Sequence, residues 1–108
     1  MLTTLGVVGI IFNMPAELLI AERFALDDMS FVEMVVWQLE ESVSACGHAL
    51  KSRLAYVIDG RCVVRYDNEA GKGDHRHIGG REMQYTFRSL DALQIDFWSD
   101  VSEREARK

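Results

Sequence analysis

The pair Asp59-Gly60 constrains the fold more than any other feature of the chain. It lies between two runs rich in β-branched and apolar residues, 53–58 and 61–66. Asp-Gly in this position is typical of a two-residue β-hairpin, because both residues tolerate the positive φ angles of a type I′ turn. Such a turn predicts the register Ile58 with Arg61, Val57 with Cys62, Tyr56 with Val63, Ala55 with Val64 and Leu54 with Arg65. We therefore expect an antiparallel pair of strands here.

Three more segments alternate apolar and polar residues, which is the pattern of a half-buried strand. They are residues 16–26, 31–39 and 82–87, and turn-forming residues at 27–30 join the first two into a hairpin. The buried face of the second segment stays open between two sets, Val32, Met34 and Val36 or Phe31, Val35, Trp37 and Leu39. Residues 40–51 show neither the strand period nor the helix period, so we expect a loop there.

A helix follows the last strand. Ser89 is a favourable N-cap and Asp91 lies in the first turn. Apolar residues recur at helical spacing at Leu90, Leu93, Phe97, Trp98 and Val101. An isolated helix of this length is marginal in water, so its apolar stripe must pack on the sheet. The order of elements indicates an α+β fold, an antiparallel sheet of about five strands with one C-terminal amphipathic helix packed on one face. We expect the 59–60 hairpin to lie beside strand 82–87.

The chain of 108 residues is long enough for one domain. We divide it into residues 1–13, a mis-called start or a flexible arm, residues 14–102, a single α+β domain, and residues 103–108, a tail that frays. The net charge of -5 argues against a protein that coats nucleic acid non-specifically. The apolar run at 5–12 is too short to span a bilayer, so we expect no membrane partner.

The densest group of ionisable residues lies between the fourth and fifth strands, at 66–81, and we interpret this segment as a glycine-rich loop. His75 and His77 stand at alternate positions, so both side chains project to the same side of an extended segment. Histidine is the side chain whose unperturbed pKa is closest to neutral. Candidate binding residues surround the pair: Lys72, Arg76, Arg81, Arg65, Tyr66 and Tyr85, with Asp74 and Asn68 in support.

Four stretches carry a resemblance to a known family. They are Leu54-Ala55-Tyr56-Val57 with Asp59-Gly60, Arg65-Tyr66-Asp67-Asn68-Glu69, Gly71-Lys72-Gly73-Asp74-His75-Arg76-His77, and Asp96-Phe97-Trp98 with Asp100-Val101. From about residue 15 to residue 101 the chain resembles the TumE family, the toxin components of bacterial toxin-antitoxin modules. The resemblance implies a small cytoplasmic bacterial protein. It also implies a cognate antitoxin encoded by the adjacent gene, commonly with a helix-turn-helix domain.

Together with this resemblance, the polar segment favours a metal-independent endoribonuclease in a type II module. Cleavage of RNA needs a base for the 2′-hydroxyl, an acid for the leaving oxygen and cations for the phosphorane charge. We predict His75 and His77 as base and acid. The expected phosphate ligands are Lys72, Arg76, Arg65 and Arg81, and Tyr66 or Tyr85 would stack on a base. No cofactor is expected.

Three other interpretations of the same segment stay open. Asp74, His75 and His77 could ligate a divalent cation in a metal-dependent nuclease, because His-x-His with a nearby carboxylate is a permissive ligand set. The segment could instead bind RNA or the antitoxin without cleaving anything. It could also be a solvated turn whose polar groups satisfy the backbone. A homodimer is a further alternative for the assembly.

Overall fold

A computed structural model describes residues 7–108 of the chain. These residues form β1 (Val8–Ile11), β2 (Met14–Asp27), β3 (Ser30–Leu39), β4 (Leu50–Ile58), β5 (Arg61–Glu69), β6 (Gly73–Ile78), β7 (Arg81–Gln84) and α1 (Leu90–Ala106). Each strand pairs antiparallel with the next one in the chain, in a single sheet of order β1-β2-β3-β4-β5-β6-β7. The predicted α+β class is confirmed. The sheet has two strands more than the expected five or so, β1 and β6.

Two-residue turns with positive φ angles connect two of the strand pairs. Asp59 and Gly60 have φ angles of 54° and 76°, so the predicted tight turn between β4 and β5 is confirmed. Phe12 and Asn13 have φ angles of 54° and 63° and join β1 to β2 in the same manner. The strand β1 lies within the predicted arm 1–13, where residues 8–11 form the edge of the sheet. Residues 1–6 of that arm lie outside the described residues.

The register of the β4–β5 hairpin differs from the predicted one beyond its first two pairs. Ile58 pairs with Arg61 and Val57 with Cys62 as expected, but Tyr56 then pairs with Val64 because Val63 forms a β-bulge. A shift of one residue exchanges the two faces of a strand. The predicted pairing of Leu54 with Arg65 is therefore wrong, and Leu54 pairs with Tyr66. The bulge places four large residues on one buried face, namely Leu54, Tyr56, Val64 and Tyr66.

The helix covers that face. Leu93, Phe97 and Val101 are buried against it, as the apolar stripe predicted. The buried face of β3 is the set Val32, Met34 and Val36, which decides between the two sets left open by the sequence.

The backbone amide of Ala92 donates to the Ser89 side-chain oxygen at 3.0 Å, so Ser89 is the N-cap of the helix. The helix runs to Ala106, and fraying of residues 103–108 in solution stays a prediction. Among the described residues, no helix combines the length and the apolar character needed to cross a bilayer.

The polar segment 66–81 is a hairpin, and its interpretation as a loop is wrong. β5 continues to Glu69, residues 70–72 make the turn, and β6 begins at Gly73. Paired strands provide partners for the backbone groups that a loop would leave to water. Since β6 lies between β5 and β7, the prediction that the 59–60 hairpin neighbours strand 82–87 is also wrong. The last strand ends at Gln84, where the chain turns toward α1.

Candidate functional site

The β5–β6 hairpin separates the predicted site residues onto two faces of the sheet. Successive side chains of a strand point to opposite faces. Two cross-strand pairs, Arg65 with His77 and Asp67 with His75, lie on the face opposite α1, which we call the open face. Two other pairs, Tyr66 with Arg76 and Asn68 with Asp74, lie on the side of α1, which we call the helix face. The residues predicted as one site therefore form two groups.

On the open face, Arg65, Asp67 and His77 contact one another. Arg65 Nη2 donates to His77 Nε2 at 3.0 Å, and Arg65 Nε lies 3.2 Å from a carboxylate oxygen of Asp67. A guanidinium has no acceptor, so Nε2 of His77 must accept this bond and the proton of the neutral ring must lie on Nδ1. The His77 side chain is 25% exposed. His77 Nε2 is thus an acceptor nitrogen beside a cation, on a side chain that can reach solvent.

His75 lies two residues away on the same face and has the opposite hydrogen-bonding character. Its Nδ1 lies 2.8 Å from the Glu82 carboxylate and its Nε2 lies 3.0 Å from the Lys72 carbonyl oxygen. Both partners are acceptors, so only the doubly protonated ring can donate to both of them. The His75 side chain is 12% exposed. The ring nitrogens of His75 thus face two acceptors, whereas Nε2 of His77 faces a donor.

The open face also carries residues that the sequence analysis missed. Arg53 pairs with Asp67 across β4 and β5 and is half exposed, and its Nη1 lies 3.9 Å from the Glu33 carboxylate. Glu33 also lies 3.6 Å from Arg23, so the basic residues continue across the sheet. The signal was present in β4, where Lys51 and Arg53 alternate with the buried Leu50, Ser52 and Leu54. Basic residues at every second position of a half-buried strand share its solvent-facing side.

On the helix face, Tyr66 and Arg76 attach β5 and β6 to α1. The Tyr66 hydroxyl donates to the Asp100 carboxylate, and Arg76 Nη1 lies 3.4 Å from the same carboxylate. Burial raises the pKa of the Tyr66 hydroxyl well above its ordinary value, an effect that Asp100 increases and Arg76 opposes. Tyr66 is only 1% exposed, so its ring is not open to a base in this conformation. Both residues serve the attachment of the helix.

Tyr85 makes a parallel contact near the start of α1. Its hydroxyl donates to the Asp96 carboxylate at 2.5 Å, and Arg88 donates to the same oxygen at 2.6 Å. The bond from Tyr85, followed by that from Arg88, holds the pKa of Asp96 below its ordinary value. Burial and the bond to Asp96 together raise the pKa of Tyr85 to about 12. This predicted base-stacking residue is therefore also tied to the helix.

The supporting residues Asn68 and Asp74 lie at the end of the hairpin, close to residues that the sequence analysis did not select. Asn68 is buried and bonds the backbone of β4, accepting from Ser52 N at 2.9 Å and donating to Leu50 O at 2.7 Å. Asp74 lies 2.9 Å from Nε2 of His48. The alternative metal set of Asp74, His75 and His77 does not converge, because Asp74 points to the other face of β6. The partner of Asp74 is 26 residues away and could not be found from spacing.

The remaining two candidates are exposed residues near the turns before and after β6. Lys72 is exposed in the turn between β5 and β6, where its carbonyl contacts His75. Arg81 is exposed at the start of β7 and pairs with Ile78, which packs against the core under α1. Lys72 therefore lies near the open-face histidines, whereas Arg81 belongs to the helix face.

An antiparallel meander of seven strands with one helix on one face defines a small α+β protein. The family model described as Toxin TumE matches residues 15–105 of the chain. That range covers most of the sequence, so the chain belongs to the TumE toxin family. Comparisons with curated proteins and with solved structures found no match. Membership of a toxin family suggests an antitoxin partner.

Proposed function

We propose that this chain is the toxin of a type II toxin-antitoxin module and cleaves RNA in the cytoplasm without a metal ion. The observation that carries the proposal is the pairing on the open face of an accepting histidine, His77, with a donating one, His75. Metal-independent RNA cleavage requires one group of each kind on either side of a phosphodiester. Same-face residues two positions apart on a strand are about 6.7 Å apart, which leaves room for one phosphate.

In the proposed reaction, Nε2 of His77 takes the proton of the 2′-hydroxyl. The 2′-oxygen then forms a bond to phosphorus and the bond from phosphorus to the 5′-oxygen breaks. His75 gives a ring proton to that leaving oxygen, and the products are a 2′,3′-cyclic phosphate and a 5′-hydroxyl. Arg65 now contacts His77, and it would move to the phosphate when RNA binds, which frees Nε2 to accept. Glu82 positions His75 through Nδ1.

The cations for the phosphorane charge would be Arg65, Arg53 and Lys72. Arg65 and Arg53 lie in adjacent rows of the open face, and Lys72 lies in the turn next to His75. This set differs from the one predicted from sequence, because Arg76 is already paired with Asp100 on the other side of the sheet. Stabilisation of developing charge by fixed donors is commonly the largest single contribution to catalysis.

Binding of RNA or antitoxin without cleavage is the second candidate. The observation that favours it is that the open-face cations already have carboxylate neighbours, Asp67 for Arg65 and Glu33 for Arg53. A face of alternating charge is suited to recognition of a charged partner. The neighbouring gene would encode that partner, and we expect the antitoxin to place acidic groups over the open face and so mask any phosphate site.

The first experiment expresses the chain alone and together with the product of the adjacent gene. We expect growth arrest from the chain alone, rescue by co-expression, and a complex that co-purifies. Purified protein is then incubated with RNA with and without a chelator. Cleavage that survives chelation with a bell-shaped pH profile supports the two histidines. Loss on chelation and recovery with added cation supports a metal-dependent nuclease if the chelator leaves the Tm of the protein unchanged.

Substitution of each histidine tests the assignment. His75→Ala and His77→Ala should each lower cleavage by about a hundredfold or more, since proton transfer typically contributes 10²–10⁴. Gln84→Ala is the matched control, because Gln84 pairs with His75 on the same face and carries no titratable group. Wild-type cleavage by both histidine variants would remove the catalytic proposal. If the parent protein binds RNA without cleaving it, the second candidate is supported, a module that binds RNA or antitoxin.

A further inference from the structure

Three metal-ligating side chains meet where the segment before β4 touches the beginning of β6. The Cys46 sulfur, a ring nitrogen of His48 and a carboxylate oxygen of Asp74 all lie within 4.8 Å of one another. Across residues 7–108, no other group of three or more His, Cys, Asp and Glu side chains converges in this way. We propose that Cys46, His48 and Asp74 bind Zn²⁺ or a similar divalent cation. This site is on the helix face, separate from His75 and His77.

The donor set suits zinc. One thiolate, one imidazole and one carboxylate are ligand types that Zn²⁺ takes at 2.0–2.3 Å, and a water can complete a tetrahedral site. Ligand atoms in such a site are about 3.3–3.7 Å apart. His48 Nε2 and the Asp74 carboxylate are now at hydrogen-bond distance, 2.9 Å. Binding would therefore separate this pair by about 0.5 Å, a displacement that side-chain rotation can supply.

Asn68 supplies a second, independent observation. Its side-chain nitrogen lies 3.6 Å from the Cys46 sulfur and donates toward it. The Asn68 side chain is fully buried and is held by two bonds to the backbone of β4, so this donor is fixed in place. An amide N–H directed at a ligand sulfur is a typical outer-shell contact of a metal site, because it helps to orient the ligand.

The proton balance of binding can be written for each ligand. Leu50 N donates to His48 Nδ1 at 3.2 Å, so the neutral ring holds its proton on Nε2 and directs it to Asp74. The cation takes Nε2, the ring proton moves to Nδ1, and the Cys46 thiol releases one proton to solvent. The bond from Leu50 is lost. One long backbone hydrogen bond is a small loss compared with three bonds to zinc.

A cation at this place would hold the segment before β4 against the β5–β6 turn. That contact already exists in the backbone, where Gly71 N donates to Ser44 O at 2.8 Å. It is also close-packed, because a Cβ at Gly73 would meet the Ala45 carbonyl oxygen at 3.1 Å. The same turn carries Lys72. We therefore assign the cation a structural role and expect it to raise stability.

Cobalt is the probe for the test, because Co²⁺ takes zinc sites and reports on its ligands by absorption. The full chain is stripped of metal and titrated with Co²⁺. We expect one equivalent to bind with the absorption bands of a tetrahedral site and a thiolate-to-cobalt charge-transfer band, and Zn²⁺ to displace it. Cys46→Ser should lose the charge-transfer band. Cys62→Ser is the matched control, since Cys62 is a free and exposed thiol elsewhere on the sheet, and it should keep the band.

Thermal unfolding gives a second readout that does not depend on RNA cleavage. Zn²⁺ should raise the Tm of the parent and of Cys62→Ser, and should leave Cys46→Ser unchanged. If Cys46→Ser does not fold, Asp74→Asn replaces it and should weaken Co²⁺ binding at least about tenfold. No cobalt band in the parent, a charge-transfer band that persists in Cys46→Ser, or unchanged cobalt affinity in Asp74→Asn would each overturn the proposal.

Discussion

The two faces of the β5–β6 hairpin have the same strands and similar residue types but different environments. On the helix face, Tyr66 and Arg76 are bonded to Asp100 of α1. On the open face, Arg65 and His77 contact each other and Asp67, and their side chains are 33% and 25% exposed. Neighbouring residues in sequence thus have different roles. Polar residues on the helix face attach the helix to the sheet, whereas those on the open face contact one another.

The difference follows from the two-residue period of a strand. Arg76 and His77 are adjacent, yet one side chain points to the helix and the other away from it. A polar residue that meets a carboxylate at a partly buried interface stabilises the fold, because leaving its partner unpaired costs free energy. A polar residue on the uncovered face contributes little to stability. Substitutions that separate stability from activity therefore test this division.

The largest expected effect on stability is at the centre of the helix face. Phe97 is fully buried, and Phe97→Ala should lower the free energy of unfolding by about 3–5 kcal/mol. Ile95→Ala is the control on the same helix. Because Ile95 is 67% exposed, this substitution should change the free energy of unfolding by about 0.5 kcal/mol or less. Urea denaturation of both variants measures the difference. Equal losses of stability in the two variants would contradict the position of Phe97 in the core.

A smaller effect is expected from the buried hydroxyl groups. Tyr66→Phe removes a donor to the Asp100 carboxylate and should cost about 1.5 kcal/mol. Tyr56→Phe is a matched control, since the Tyr56 hydroxyl is buried and has no hydrogen-bond partner among the described residues. Removal of an unsatisfied hydroxyl should leave stability unchanged or raise it. A loss in Tyr56→Phe as large as in Tyr66→Phe would contradict the role given to Asp100.

The smallest effect is a pH dependence that belongs to the helix face. The pKa of Tyr85 is raised to about 12 in the folded chain, above the ordinary value of 10.0. Its contribution to stability is complete below pH 10 and is lost as the pH rises toward 12, because the unfolded tyrosine ionises first. The free energy of unfolding of Tyr85→Phe should therefore decrease less steeply with pH in this window than that of the parent. A parent and variant with the same slope between pH 10 and 12 would contradict the contact with Asp96.

Local chemistry in the sequence predicted the tight turn at Asp59-Gly60 and the helix that begins after Ser89, because both depend on neighbouring residues. The strand β6 was missed because both of its faces are polar. Asp74 and Arg76 meet the helix side while His75 and His77 face outward, so the apolar alternation that marks a strand is absent. A segment of this kind resembles a loop in sequence.

Two features of the site required the tertiary structure. The bulge at Val63 could not be located from the sequence, because Val63 and Val64 are both valine and either can be the extra residue. The contact of His48 with Asp74 joins segments that only the sheet order brings together. The alternate spacing of His75 and His77 predicted that they share one side of the segment, whereas the pairing of Arg76 with the helix depended on the position of Asp100.

We propose that RNA cleavage belongs to the open face, whereas the helix face attaches α1 to the sheet. The most direct test compares His77→Ala with Arg76→Ala, adjacent residues on opposite faces, by RNA cleavage rate and by urea unfolding. We predict that His77→Ala loses about a hundredfold or more in cleavage rate at unchanged stability. We predict that Arg76→Ala loses about 1 kcal/mol of stability, because its partly exposed ion pair is weak, and keeps the parent's rate per folded molecule. Full cleavage by His77→Ala, or an equal loss of cleavage in both variants, would contradict it.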